Sequence, residues 1–481
     1  MTTAPLRLAA SAADLADDFA RVRADLHVPV SFPPDVDAEA AEVAARGAVV
    51  PPDASAAPRV DAREIEFVTI DPAGSRDLDQ AFHAERLGTG SRVRYAIADV
   101  AAFVTPGGAL DREAFSRGET LYLPDGRAPL HPDVVGEGAA SLLPDVDRPA
   151  VLWTFDLDRD ARPVRTHCER AMVRSRAALS YATVQQAIDA DRASTALLLL
   201  REIGELLLAR EQERGGVSIA APTQEITRDA HGSYALELDA PLPVETWNAQ
   251  ISLLTGREAA RVMAAGGVGM VRTLPAPDGV ALDRLRRIAQ ALDIEWPTSA
   301  TYADVVRGLR PTTHARATFL LQALHVLRGA GYALVTGDAA VPVHGAVGSP
   351  YAHATAPLRR LGDRFANEIV LALSAGATPP SWAVDALPKL VEVMPASDRR
   401  AAAVQRACID AVEVAVLADR VGTSFPATVV DRNRRAVVVL LDEVPVVASV
   451  PGSRNLGEGV RVRLEALDPV ARTLSFALLP R

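Results

Sequence analysis

The hydrophobic period of this 481-residue chain changes twice, and those changes constrain the fold more than any single motif. From Ala62 to about Arg174 the pattern is strand-rich, with Glu64–Ile70, Gln80–Leu87, Arg92–Val104 and Ala150–Asp158 read as strands. Helical spacing then takes over in Tyr181–Ala190, Ser194–Arg214, Val244–Ala265, Asp283–Leu292, His314–Gly329, Leu358–Ser374 and Ser397–Val421. Gly267–Met270 and Val341–Val347 read as short strands or extended loops. Strands followed by helices predict an α+β domain, a sheet covered by helices. After Gly422 the pattern returns to short strands: Phe425–Asp431, Ala436–Leu441, Val444–Val450, Val460–Ala466 and Thr473–Ala477. Five is the number an OB barrel needs.

At the other end, Ser11–Asp14 reads as a capping box opening a helix to about Asp25, and a second helix runs from Val36 to Arg46 and stops at Gly47. Val49 to Pro58 is a linker rich in Pro, Ala and Ser. The expected domains are a small helical module over 1–60, helix-turn-helix-like, a central domain over 61–421 and a barrel over 422–481.

Composition narrows the class of protein. A hydrophobic content of 49% and a charged content of 23% are those of a soluble globular chain. The start shows no long apolar core, so no signal peptide is expected, and the apolar run Ala196–Leu200 is too short to span a bilayer. Cys168 and Cys408 make neither a disulfide framework nor a zinc pattern and suit buried thiols in a reducing cytoplasm. A net charge of −10 argues against a general nucleic-acid coat, though not against a locally basic channel. Lys389 is the only lysine, so nearly every cation is an arginine. A coding bias explains that more simply than phosphate binding does.

One acidic turn carries most of the chemistry. After the strand ending at Ile70, Asp71 leads into the turn Pro72-Ala73-Gly74-Ser75, and Asp77 and Asp79 follow on either side of Leu78. In an extended segment both carboxylates share one face and Leu78 points to the core. Carboxylates so close raise one another's pKa, which makes a divalent cation a natural partner. A solvated acidic turn is the other reading of the same spacing.

Phe67 to Phe82 resembles the signature loop of the ribonuclease II/ribonuclease R (RNB) family, and further blocks follow in family order. They are Tyr95–Val100, Tyr122-Leu-Pro124, Ser141-Leu142, Asp147-Arg148 and the box Tyr351–Asp363. The resemblance covers about residues 64 to 481. It implies an RNB-type catalytic domain followed by an OB-fold RNA-binding domain. The family's two cold-shock barrels have no room in the sixty residues ahead of it. The activity it implies is processive 3′→5′ hydrolysis of single-stranded RNA to nucleoside 5′-monophosphates with Mg²⁺ or Mn²⁺, by a cytoplasmic monomer without membrane contact.

By the same resemblance Asp71 and Asp77 are metal ligands, and Asp79 positions or activates the attacking water. Gln80 stands where the family has a fourth Asp. Its carbonyl can ligate, but it adds no charge and binds a hard cation weakly. Arg359 matches the arginine that grips the scissile phosphate, and Arg360 is a second phosphate contact or a salt-bridge partner. Tyr122 corresponds to a tyrosine beside the 3′-terminal nucleotide and Tyr181 to one that stacks on a base. Ala356 and Leu361 depart from the family's Ser and aromatic residue. His344, His353, Glu245 and Asp410 carry weaker matches. In the barrel Phe425 and Phe476 are the only aromatics, so base stacking there is weak; Arg432, Arg434, Arg435, Arg461 and Arg463 read either as phosphate contacts or, more simply, as a solvated surface. Two alternatives stay open: a catalytically weakened RNA-binding protein on the same fold, and a metal-dependent phosphodiesterase with another substrate.

Overall fold

The computed structural model describes residues 9–10, 12–51, 58–219, 223–228, 233–239, 241–310, 313–324, 326–432, 435–442, 444 and 446–480. Strand β1 (Ala9–Ala10) and helices α1 (Ala12–Asp25) and α2 (Pro34–Arg46) come first. The cap expected at Ser11, most of the linker Val49–Pro58 and Arg434 lie outside the described residues.

The central sheet begins with β2 (Val60–Asp61), β3 (Phe67–Asp71), β4 (Gln80–Leu87) and β5 (Gly90–Ala98). Helix α3 (Ala109–Arg117) and the hairpin β6 (Leu121–Leu123) and β7 (Gly126–Ala128) precede β8 (Asp147–Leu157) and β9 (Pro163–Ser180). Strand order is β2-β9-β3-β4-β5-β8, and β8 also pairs with β9, so five of the strands close a ring. The 18-residue β9 makes this possible. Up to Arg174 it runs antiparallel to β8, and from Ser175 it runs parallel to β3, ending with Asp71 opposite Ser180.

Helices cover this sheet, as the α+β expectation requires. They are α4 (Tyr181–Asp189), α5 (Thr195–Glu213), α6 (Pro243–Gly266) and α10 (Leu361–Ser374). One core joins Trp153 and Phe155 of β8 to Leu200 of α5, Ile251 of α6 and Phe365 of α10. Between them come β10 (Thr223–Arg228), β11 (Tyr234–Asp239), β12 (Val268–Thr273), α7 (Gly279–Ala291), α8 (Tyr302–Gly308), α9 (His314–Leu324) and β13 (Gly331–Thr336). Val341–Val347 is a loop, held by a bridge between His344 and Ser349.

Helix α11 (Ser381–Leu417) begins sixteen residues before the expected Ser397 and contains Pro388 and Pro395. Proline disfavours a helix interior, yet Leu387, Leu390 and Met394 around them are buried. Packing decides here. The five tail strands β14 (Ser424–Arg432), β15 (Ala436–Leu441), β16 (Val447–Pro451), β17 (Gly459–Asp468) and β18 (Thr473–Leu478) form one antiparallel sheet in the order β16-β15-β14-β17-β18, an OB-like barrel. Phe425 and Phe476 meet edge to face at 6.3 Å inside it, so both are core.

The N-terminal helices do not share a core of their own. Leu15, Phe19 and Val22 of α1 join Val404 and Val412 of α11, Leu121 and Leu123 of the hairpin, and Phe425 of the barrel. Val36, Ala40 and Val43 of α2 pack with Leu78, Val100 and Leu110. Arg23 of α1 grips Asp125, in the hairpin turn, with two hydrogen bonds of 2.9 and 2.6 Å. No helix among the described residues is long and apolar enough to cross a membrane.

Glu413 on α11 is nearly buried and accepts a hydrogen bond from the Gln224 amide. Burial raises its pKa from 4.5 to about 7, against the opposing pull of Arg406. The folded state therefore binds a proton that the unfolded state releases between those values. Its contribution to stability is full below the unfolded pKa and declines as pH rises towards 7. Glu413→Gln keeps the shape and removes the charge. Its thermal midpoint should exceed that of the wild type above pH 7 by several degrees, on the order of 2 kcal/mol, and converge with it below pH 5. Parallel melting-versus-pH curves would contradict this account.

Candidate active site

The acidic turn is shaped by backbone needs before any chemistry. Gly74 takes a φ of +86°, which an L side chain rarely adopts, and Ser75 N–H closes the turn on Pro72 O at 3.2 Å. Ser141 then brackets the chain: its hydroxyl donates to Arg76 O at 2.6 Å and accepts from Leu78 N–H at 3.0 Å. Leu78 is buried, and Asp79 O accepts from Ala98 N–H at 2.9 Å, which lines the segment up with β5. Asp77 is left partly open and Asp79 is 2% exposed.

The three acids have unequal surroundings. Asp77 Oδ2 accepts from the Tyr122 hydroxyl at 3.2 Å and lies 3.6 Å from Arg127 Nη1. Asp79 Oδ1 accepts from Leu358 N–H at 2.8 Å, while its Oδ2 lies 3.3 Å from Arg359 Nε without forming a hydrogen bond. Burial pushes Asp79 up to about 8, with Arg359 and the Leu358 N–H opposing it and Asp363 and Asp77 adding to it. Burial also pushes Asp71 up to about 6, opposed by Arg359 and reinforced by Asp77.

Arg359 sits in a segment tied down at nearly every peptide. Thr120 N–H donates to Arg359 O at 2.9 Å, Leu361 N–H to Gly118 O at 3.0 Å and Ala356 N–H to Asp363 Oδ2 at 2.8 Å. Asp363 is fully buried and holds Arg360 through Nε and Nη2 at 2.7 and 2.8 Å. Of the two expected roles for Arg360, the salt-bridge one matches its contacts. Arg359 is thereby left to face Asp79, with half its side chain exposed.

Tyr181 is the first residue of α4, directly after Ser180, whose hydroxyl caps the helix. Because Ser180 pairs with Asp71, β9 delivers the Tyr181 ring to the same sheet end. Its hydroxyl accepts from Asn248 Nδ2 at 3.4 Å. Tyr122 comes from the β6–β7 hairpin and is 53% exposed, so its ring is free to meet a ligand. Asp71, Asp77, Asp79, Arg359, Tyr122 and Tyr181 therefore gather at one place. Gln80 lies beside them with its amide engaged: Nε2 donates to Thr355 O and Oε1 accepts from the Tyr95 hydroxyl at 3.3 Å.

Three of the weaker candidates have hydrogen-bond or ion-pair partners, while His344 Nδ1 is buried without a hydrogen bond and its ring packs edge-on against Tyr351. His353 Nδ1 meets the Tyr332 hydroxyl at 2.9 Å, Glu245 caps α6 at Leu242 N–H, and Asp410 pairs with Arg406. Arg127 was not foreseen. It pairs with Tyr122 across the hairpin, and the Pro124-Asp125 turn followed by Gly126 is the signal that could have found it.

Residues 59–375 match the RNB domain, and residues 423–479 match the C-terminal S1 domain of RNase II-type exonucleases. The chain belongs to the RNB family. The exosome complex exonuclease RRP44 of Homo sapiens is 28% identical over 337 residues, spanning 67% of this chain and 35% of its own length. Ribonuclease R of Escherichia coli is 26% identical over 488 residues, spanning 89% of this chain and 58% of its own length. This RNB chain thus spans between about a third and three fifths of these curated relatives. The RNase R of Mycoplasma genitalium, solved with ribose-methylated single-stranded RNA, shares the fold with a TM-score of 0.83 at 19% identity, over 97% of this chain and 78% of that one. Yeast Ssd1, described as a pseudonuclease, shares it with a TM-score of 0.67 at 16% identity, over 90% of this chain and 59% of that one.

The donor set fits the divalent cation that this family suggests. Asp71 Oδ2 and Asp79 Oδ2 are buried without a hydrogen-bond partner, and a buried carboxylate oxygen left without one is costly even with Arg359 nearby. A hard cation with oxygen ligands relieves that cost. Among the described residues no three such side chains already surround a common point, since Asp77 and Asp79 face guanidinium groups instead.

Proposed function

We propose that the chain is a 3′→5′ exoribonuclease that hydrolyses single-stranded RNA processively to nucleoside 5′-monophosphates, with Mg²⁺ or Mn²⁺ held by Asp71, Asp77 and Asp79. The observation that carries this reading is the pair of buried, unpartnered carboxylate oxygens of Asp71 and Asp79 beside Arg359. A pure RNA-binding surface has no use for anionic groups held out of water against the phosphate backbone.

Bound at these acids, the cation would neutralise phosphate charge and lower the pKa of a water. The chain's own groups supply the rest. Arg359, half exposed, presents its guanidinium to a phosphate and stabilises the charge that builds there. Asp79, buried beneath it, holds the segment carrying Arg359 through Leu358 N–H and orients the attacking water. Tyr181 offers a ring for a base and Tyr122 a half-open ring beside Asp77 for the terminal nucleotide. Arg360, committed to Asp363, supports the segment.

The test is a 5′-labelled RNA oligomer incubated with the protein and Mg²⁺, with chelator and a DNA oligomer in parallel. A ladder shrinking from the 3′ end, lost with chelator and absent on DNA, supports the proposal. RNA retained intact but bound supports the second reading, an RNA-binding protein, which rests on Gln80 standing where the family has an acid. Cleavage of DNA at the same rate would assign a different substrate.

A further inference from the structure

Gln80 opens β4 opposite Ile97, and Tyr95 lies two residues along β5, opposite Phe82, on the same face. The Thr355 carbonyl is an acceptor only, so the amide nitrogen of Gln80 must face it and the amide oxygen must face Tyr95. Tyr95 is 1% exposed and its hydroxyl also meets Ser252 Oγ of α6 at 2.8 Å. A continuous line of donors results: the Ser252 hydroxyl to Tyr95, the Tyr95 hydroxyl to Gln80, and the Gln80 amide to Thr355. It ties β4, β5 and α6 to the segment that carries Arg359.

Building on the function proposed above, we propose that Gln80 is a positioning residue and not a metal ligand: it fastens the Thr355 peptide, and so the Arg359 segment, to the sheet. One lone pair of its Oε1 stays free, but an amide turned to serve Thr355 cannot swing towards a cation without releasing that peptide. An aspartate here would be one methylene shorter and acceptor-only, and it would set a carboxylate against the Thr355 carbonyl. The two side chains are therefore not interchangeable at this position. The segment also keeps its ties to Asp79, Asp363 and Thr120, so losing Gln80 loosens one end without unfolding it.

The test compares full-length wild type, Gln80→Ala, Gln80→Asp and Tyr95→Phe by three measurements. These are Mn²⁺ binding without RNA by calorimetry, amide hydrogen exchange over residues 352–360, and kcat and KM on an RNA oligomer. Gln80→Ala should bind Mn²⁺ within about twofold of wild type. Exchange over 352–360 should quicken at least about fivefold in Gln80→Ala and Gln80→Asp, and less in Tyr95→Phe. In Gln80→Ala kcat should fall about tenfold while KM stays within about twofold, because a displaced arginine costs transition-state contact and leaves binding elsewhere intact. Mn²⁺ affinity weakened about tenfold or more in Gln80→Ala would make Gln80 a ligand and overturn the proposal. So would unchanged exchange over 352–360, or a second bound Mn²⁺ with higher kcat in Gln80→Asp. If wild type neither binds Mn²⁺ nor cleaves RNA, the exoribonuclease reading fails, and hydrogen exchange still decides whether Gln80 fastens the segment.

Discussion

Asp79→Asn should lower kcat on single-stranded RNA by about 10²–10³-fold or more while leaving RNA affinity nearly unchanged. Asparagine keeps an oxygen for Leu358 N–H and so preserves the segment that bears Arg359. What it removes is the charge at Oδ2, which has no hydrogen-bond partner and stands 2% exposed beside the guanidinium. In so dry a place a carboxylate acts on a cation, a water or a phosphate far more strongly than it would at the surface. The same dryness makes the charge costly to keep without a cation. The variant should therefore melt at or above the wild-type temperature in chelator. Single-turnover cleavage, a filter-binding isotherm and a melting curve check the three parts. A kcat within about threefold of wild type would remove Asp79 from the chemistry.

Arg359→Ala should lower kcat by a similar order, about 10²–10³-fold, with a smaller rise in KM. The backbone of residue 359 is held by Thr120 and its neighbour by Asp79, so truncating the side chain leaves the segment in place. Arg359→Lys should recover only part of the loss, since an ammonium cannot make the paired contacts of a planar guanidinium with a phosphate. Equal loss in kcat and kcat/KM would mark a contact made in the transition state. A rise in KM alone would reduce Arg359 to a general RNA contact.

The grouping of the acids, the arginine box and the two tyrosines was readable because each comes as a short motif in family order. The five-strand tail was readable because its strands alternate and are separated by turn residues. β9 was harder to read. It carries Arg165, Glu169, Arg170 and Arg174, and pattern reading assigns charges to solvent. Arg170 alone among them is buried, paired with Asp99 at 2.8 Å and Glu368 at 2.6 Å, while Arg165 stays exposed and Glu169 and Arg174 half-buried, so one charged position of the strand faces an interior network. The start of α11 was missed because Pro388 and Pro395 are breakers by local rule, overruled by burial of the residues around them.

Gln80 shows where local reading ends. Its chemistry, an amide able to offer a carbonyl to a cation, follows from the residue alone. Its partner, Thr355, is 275 positions away, and only the packing of the Arg359 segment onto β4 decides that the amide faces a peptide. Likewise the sequence alone determined that three carboxylates share one short turn. The tertiary structure decided that Asp77 meets Tyr122 and Arg127, while Asp79 is sealed beneath Arg359. Period and residue type are local properties of a chain. Desolvation and hydrogen-bond partnership are set by whatever the fold brings alongside, and at this site nearly every partner comes from a distant part of the chain.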